Sequence, residues 1–357
     1  MKRLLPILSL VVLILFPITG FAKDAKESQQ GITENEKRAG FTVQAVLPEN
    51  QINDRVSYYH LLMTPEQKQT IQVKIINTSD KKQTYKVEVI NAATNKNGLI
   101  TYDEREKTPD ASMKLPIANV AKPKNKEVSV DAYSEGKAEI DIQMPAESFQ
   151  GILLGGVRIS LKSDDTEEES QGMSVKNTYG YAIGLVLTEQ DFAPIYGETD
   201  LKLVKLQSEI DYGSKVLEAS IQNPYPEAMQ NLTAEGKIVR KGQEKAIAKN
   251  KQEKVKIAPN SVFPFQIDWG LQEVSAGEYT FIGKVKGKAK TWNFKEDFTI
   301  TREMAKKMNK QTAFRIFIPS WWTTSFYVMG TATAVVTAWL MIRYIKRRNG
   351  REKREEE

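Results

Sequence analysis

The stretch Thr70-Ile71-Gln72-Val73-Lys74-Ile75-Ile76-Asn77-Thr78-Ser79-Asp80-Lys81-Lys82-Gln83-Thr84-Tyr85-Lys86-Val87-Glu88-Val89 decides the fold class. Ile71, Val73 and Ile75 alternate with polar residues, which puts apolar side chains on one face of a strand. Asn77 to Lys82 is wholly polar and reads as a turn. Tyr85, Val87 and Val89 then resume the period of two. Two strands with one buried face each, joined by a short turn, are the building unit of a β-sandwich.

The same grammar extends in both directions. Val128, Val130, Ile140, Ile142 and Met144 mark two further strands, and Gly151 to Leu161 is an apolar strand rich in glycine. Downstream the pattern restarts. Val216 to Ile221 is a strand that ends in Asn223-Pro224-Tyr225-Pro226, which cannot continue a ladder. Leu232 to Arg240, Val262 to Trp269, Glu278 to Lys286 and Trp292 to Ile300 follow, each bounded by Gly, Pro or charge. The unit Ile75-Ile76-Asn77 recurs as Ile221-Gln222-Asn223. No long helical periodicity interrupts Phe41 to Ile300, so the expected fold is all-β with two tandem sandwiches, at 41–161 and 176–310. An acidic linker or loop at 162–175 separates them. Tyr179 to Thr188 reads as a strand of either sandwich and could pair back onto Gly151–Leu161 as a long hairpin. Thr301 to Arg315 is basic and compatible with a helix.

Both ends carry membrane signals. Trp321 to Ile342 is an uncharged apolar run of roughly 22 residues, enough at about 1.5 Å per residue to cross a ~30 Å hydrocarbon core. Trp321, Trp322, Trp339 and Tyr344 stand near its two ends, where amphipathic rings favour the headgroup region. Arg343, Lys346, Arg347, Arg348 and Arg351 follow at once, so 343–357 is expected to be a basic cytoplasmic tail and everything before the span to lie outside. Gly330, Ala334 and Ala338 fall on one face of the span, a spacing that permits close helix association. At the other end, Lys2, Arg3, the apolar Leu4 to Phe16, Gly20 and Ala22 form a signal peptide over 1–22, followed by a linker over 23–40. A sortase substrate would need Leu-Pro-x-Thr-Gly before the span. Phe317-Ile318-Pro319-Ser320 stands there instead, so retention in the membrane is expected.

Composition removes several chemistries. The chain has no cysteine, hence no disulfide, thiol catalysis or thiolate metal site. Its single histidine, His60, lies in Tyr58-Tyr59-His60-Leu61-Leu62 and reads as a packed strand residue rather than a catalytic base. No nucleophile elbow, P-loop, calcium loop or zinc spacing is present, so no cofactor or metal is expected. The net charge of +6 comes partly from the two ends and argues for no nucleic-acid partner. Ser163-Asp164-Asp165-Thr166-Glu167-Glu168-Glu169-Ser170 reads as a solvated acidic loop.

Several strings recur in order: Tyr58-Tyr59 with Pro65-Glu66-Gln67; Val73 to Asp80; Asn91 to Gly98 with Tyr102; and Phe149-Gln150-Gly151-Ile152-Leu153-Leu154-Gly155-Gly156-Val157. In the second half come Asn223-Pro224-Tyr225-Pro226, Ala258-Pro259-Asn260-Ser261, Ile267-Asp268-Trp269, Ala276-Gly277-Glu278-Tyr279 and Phe298-Thr299-Ile300-Thr301. Over about Phe41 to Asn309 the chain resembles the WxL-interacting protein family of Gram-positive bacteria. The resemblance implies two Ig-like domains, the first binding peptidoglycan and the second binding host surface proteins, working beside WxL proteins. Where Pro-Gly-Gln is expected, Pro65-Glu66-Gln67 stands, which puts the local turn type in question. The lone Trp269-Gly270-Leu271 reads as a core tryptophan at a turn.

The candidate peptidoglycan-binding residues are Tyr58, Tyr59, Tyr102, Phe149, Gly151, Gly155 and Gly156. Aromatic faces and hydroxyls suit sugar rings, and a side-chain-poor strand offers a flat floor. The packing reading stands beside each: half-buried tyrosines, and glycines that admit a neighbouring backbone. Asn77 and Asn223 are expected to cap turns, and Trp269, Tyr279 and Trp292 to be core. The expected role is a non-catalytic surface adaptor. The alternatives are a membrane-anchored wall hydrolase or transferase, and a sensor ectodomain.

Overall fold

The computed structural model describes residues 40–102, 108–162, 179–191, 194–314 and 320–355. The signal peptide, most of the first linker and the acidic run expected from the sequence lie outside them.

The first sandwich packs two sheets face to face. One has four strands: β1 (Phe41–Val46), β3 (Lys68–Asn77), β9 (Glu135–Gln143) and β7 (Ala121–Pro123), in that order. The other has five: β2 (Tyr59–Leu62), β11 (Gly180–Thr188), β10 (Leu153–Leu161), β4 (Gln83–Asn91) and β8 (Glu127–Val130). Their alternating apolar residues meet in one core that includes Phe41, Tyr59, Ile71, Val73, Ile75, Tyr85, Val87, Ile140 and Val157. A single helical turn, α1 (Ile117–Val120), lays Ile117 and Val120 into the same core.

The second sandwich has a three-stranded sheet, β12 (Lys202–Asp211), β13 (Ser214–Asn223) and β16 (Ser261–Asp268). It faces a four-stranded sheet ordered β15 (Ala246–Ile257), β14 (Met229–Arg240), β17 (Gly277–Lys286) and β18 (Thr291–Ile300). Phe263, Phe265, Phe281, Tyr279, Trp269 and Trp292 fill the space between. The three aromatics expected in this core are there. Trp269 is 6 % exposed, whereas Leu271 beyond the Gly270 turn is 53 % exposed.

The strand left between the two sandwiches belongs by its hydrogen bonds to the first. Gly180–Thr188 pairs antiparallel with β10, the long hairpin the sequence allows, and parallel with β2 through Leu185 to Thr188. That parallel pairing joins residues more than a hundred positions apart, and no local pattern encodes it.

After β18, Thr301 caps α2 (Arg302–Gln311), its Oγ1 accepting from the amide of Met304 at 3.1 Å. Ala305 and Met308 pack into the second core, and Asn309 exchanges two hydrogen bonds with the backbone of Val274, each 2.9 Å. The chain leaves the sandwich at Ala313, whose amide donates to the carbonyl of Gly213 at 2.9 Å. A final helix, α3 (Ser320–Glu355), contains Thr324–Arg343, a 20-residue segment of mean hydropathy 1.5 with none of it buried. Among the described residues it is the one helix long and apolar enough to cross a membrane.

Candidate functional site

On β10 and β11 the odd-numbered residues Val157, Ile159, Ile183 and Leu185 face the core. The even-numbered ones therefore face out. Gly156 and Gly184 sit directly opposite each other on this outer face. The absence of side chains leaves a floor of bare backbone. The ring of Tyr102 lies over it: a Cβ on Gly156 would stand 2.7 Å from Tyr102 Cγ, and one on Gly184 would stand 3.4 Å from both the Tyr102 hydroxyl and Tyr58 Cβ.

Three elements bring tyrosines to this floor. Tyr58 enters on the segment before β2, and Tyr102 follows the small hairpin β5 (Ala93–Thr94) and β6 (Ile100–Thr101). Tyr196 comes from the segment between the sandwiches, which bridges to Ala228. With Leu154, Val186 and Lys256 they line a cleft of about 390 Å³. Burial raises the Tyr102 hydroxyl pKa to about 12, with Tyr196 and Tyr58 adding to the rise. Burial, then Tyr58, raises that of Tyr196. The Tyr102 and Tyr196 rings therefore present neutral hydroxyls, able to donate and accept, beside an apolar wall.

The seven expected residues do not form one site. Tyr58, Tyr102 and Gly156 come together here. Tyr59 is fully buried in the core, its hydroxyl donating to the carbonyl of Gln72 at 2.6 Å. Phe149 packs on the edge of that core. Gly155 faces inward, where a Cβ would stand 2.3 Å from Ile117 Cγ2. Gly151, at φ 80°, lets the second sandwich close on the first: the amide of Ile152 donates to the carbonyl of Pro226 at 2.9 Å. Tyr196 escaped sequence reading because its segment has no strand pattern around it.

A second cavity, of about 510 Å³, lies where the two sandwiches touch, and two of its carboxylates belong to Asp110 and Glu218. Both carboxylates are engaged by hydrogen bonds. Burial pushes the Asp110 pKa up, but hydrogen bonds from Ser112, Gln222 and Ala111 together hold it below the usual range. Glu218 accepts from Ser220 and Gln266. The Gln222–Asp110 bond ties the domains together at 2.7 Å, as do the buried Thr94–Ser261 hydroxyl pair at 2.8 Å and the Ala258 amide donating to Thr94 Oγ1 at 2.9 Å. His60 is buried and neutral, its pKa lowered by burial, and its Nε2 has no partner. Among the described residues no group of His, Asp or Glu is arranged to hold a metal.

The model of the WxL Interacting Protein peptidoglycan binding domain matches residues 41–161, and that of the host binding domain of the same protein matches residues 170–310. The chain belongs to the WxL-interacting protein family. The second match begins before Gly180–Thr188, although the hydrogen bonds of that strand lie in the first sandwich. The two family descriptions support a non-catalytic binding role toward peptidoglycan and protein partners, and with the apolar helix they fit a membrane-anchored cell-surface protein. The E. coli chaperone DraB is 13 % identical over 68 % of this chain and 94 % of its own, with a TM-score of 0.27. The Pseudomonas aeruginosa CupB2 chaperone is 13 % identical over 67 % and 96 %, with a TM-score of 0.24. A PapD-like domain of human CEP192 is 6 % identical over 49 % and 98 %, with a TM-score of 0.26. No curated protein matches the chain.

Proposed function

We propose that this protein is a membrane-tethered adaptor that holds peptidoglycan in the tyrosine cleft of its first domain and a protein partner, a WxL protein or a host surface protein, on its second. The signal peptide at 1–22 is removed, the two sandwiches face outward, and the basic residues after the span stay in the cytoplasm. The observation that carries the wall-binding reading is the cleft itself. Tyr58, Tyr102 and Tyr196 surround Gly184, and among the described residues no carboxylate or imidazole lines it. Aromatic rings over an apolar floor suit the flat faces of sugar rings, and neutral hydroxyls suit their edges. Hydrolysis of a glycan needs two carboxyl groups flanking the scissile bond, one with a raised pKa, and the described residues of the cleft supply neither.

Retention of the full-length protein in detergent on insoluble peptidoglycan tests the reading. Tyr196 is 38 % exposed and lies outside the hydrophobic cores of both sandwiches. Tyr196→Ala should lower retention about fivefold, the equivalent of roughly 1 kcal/mol of aromatic contact, while leaving the unfolding midpoint unchanged. Wild-type retention no higher than that of an unrelated sandwich protein, or equal retention by the variant, rejects the cleft as the wall site.

A further inference from the structure

The outer face of the β15-β14-β17-β18 sheet carries a second feature, independent of the tyrosine cleft. One row of side chains crosses all four strands as Lys249, Lys237, Ile282 and Lys295, each paired with the next in register. The neighbouring row is Lys251, Glu235, Lys284 and Asn293. Between them the floor is the backbone of Asn250, Gly236, Gly283 and Phe294. The rows stand about 7 Å apart and successive strands about 4.8 Å apart. Long lysine stems on both sides therefore wall a trough of about 800 Å³ that runs across the sheet.

Its charge is one-sided. Glu235 is shared between Lys251 at 3.7 Å and Lys284 at 3.9 Å. Asp297, the next residue on the same face of the strand as Lys295, is taken by Lys241 at 3.3 Å and the Thr280 hydroxyl at 2.6 Å. Lys237, Lys249 and Lys295 form no ion pair among the described residues. Three like charges on one row repel each other unless an anion lies among them.

We propose that this trough binds a linear polyanion whose charges are phosphodiesters. A chain laid along the trough meets the ammonium groups of Lys249, Lys237 and Lys295 on one wall and apolar contact from Ile282 between them, while Lys251 and Lys284 on the other wall are held by Glu235 and, at 2.7 Å from Lys251, Glu253. A flat bilayer surface would touch the rims alone, so the concave shape favours a polymer over lipid headgroups.

Full-length protein in nanodiscs of neutral phosphatidylcholine, titrated with synthetic poly(glycerol phosphate) at several salt concentrations, tests this. The affinity should fall as salt rises, by roughly 0.7 in the log–log slope per phosphate contact. The triple variant Lys237→Gln, Lys249→Gln, Lys295→Gln should bind at least tenfold more weakly, with a slope smaller by about two. A control triple on the first sandwich, Lys122→Gln, Lys126→Gln, Lys137→Gln, should bind as the wild type does. Surface changes of this kind leave the fold intact, which the unfolding midpoint checks. No binding, or equal losses in the two triples, overturns the proposal. Stronger competition from phosphatidylglycerol vesicles than from added polymer, lost in the trough triple, overturns it in favour of a membrane surface.

Discussion

The two sandwiches share a joint and differ in what they show to solvent. Asn77 ends β3 and Asn223 ends β13, and both are almost wholly buried. Each side-chain oxygen accepts from an amide two residues on, at 3.0 Å from Ser79 and 3.2 Å from Tyr225. Each amide group donates to a carbonyl four residues on, at 2.8 Å for Lys81 and 2.7 Å for Glu227. A further bond reaches a separate segment, Val130 in one case and Ala258 in the other. The outer faces diverge. Paired glycines in the first, Gly156 and Gly184, turn outward beneath tyrosines, while paired glycines in the second, Gly236 and Gly283, lie under a lysine trough. The joint is a folding device that both domains need, and the faces are free to specialise.

The strongest way to break the shared-joint reading is Asn77→Ala or Asn223→Ala. Each takes a donor from one buried carbonyl, that of Val130 or Ala258, besides half-buried turn groups, so each should destabilise its own domain by about 3 kcal/mol in urea unfolding followed domain by domain. A loss under about 1 kcal/mol at one site would mean that the two asparagines do different work. The glycine pairs come next. Gly156→Ala would put a Cβ 2.7 Å from the Tyr102 ring and Gly236→Ala would put one 2.7 Å from Phe265 Cε1. Both should cost about 2 kcal/mol of stability, and only Gly156→Ala should lower retention on peptidoglycan.

Alkaline titration sharpens the comparison further. Tyr102 has a raised pKa in the folded state, so the folded chain holds its proton more tightly than the unfolded chain does. Its contribution to stability is full below pH 10.0, the value of a free tyrosine, and is lost as the pH climbs to about 12. Tyrosinate absorbance should show Tyr102 and Tyr85 both ionising near the upper value, and Tyr102→Phe should roughly halve that step. The smallest effect belongs to Glu66, which holds φ 62° in the turn after β2. The left-handed turn is therefore kept without the glycine, at the expense of side-chain strain. Glu66→Gly should gain roughly 0.5 kcal/mol, the strain relieved less the added chain entropy, read as a small rise in the unfolding midpoint of the first domain.

Much of this was written locally in the chain. Period-two alternation in Thr70–Val89 and again from Val216 placed the sheets, and Asn-led turns marked where strands stop. The tryptophans of the second core were legible because large rings on alternating strands have nowhere else to go. The cleft was legible only in part. Tyr58, Tyr102 and Gly156 stood out by type, but Tyr59 is next to Tyr58 and points the opposite way, as strand geometry requires. Tyr196 and the parallel pairing of β11 with β2 depend on tertiary closure. The lysine trough was hidden because alternating lysine along a strand looks like an ordinary solvated face until four strands are set in register.

The junction between Ala313 and the final helix has a topological consequence. Ala313 is held to Gly213, and Ser320 already begins α3. Seven residue steps, fully drawn out, reach about 25 Å. If α3 is embedded in lipid, the exit point of the second sandwich at Ala313 is held within that reach of the bilayer and cannot leave its immediate vicinity.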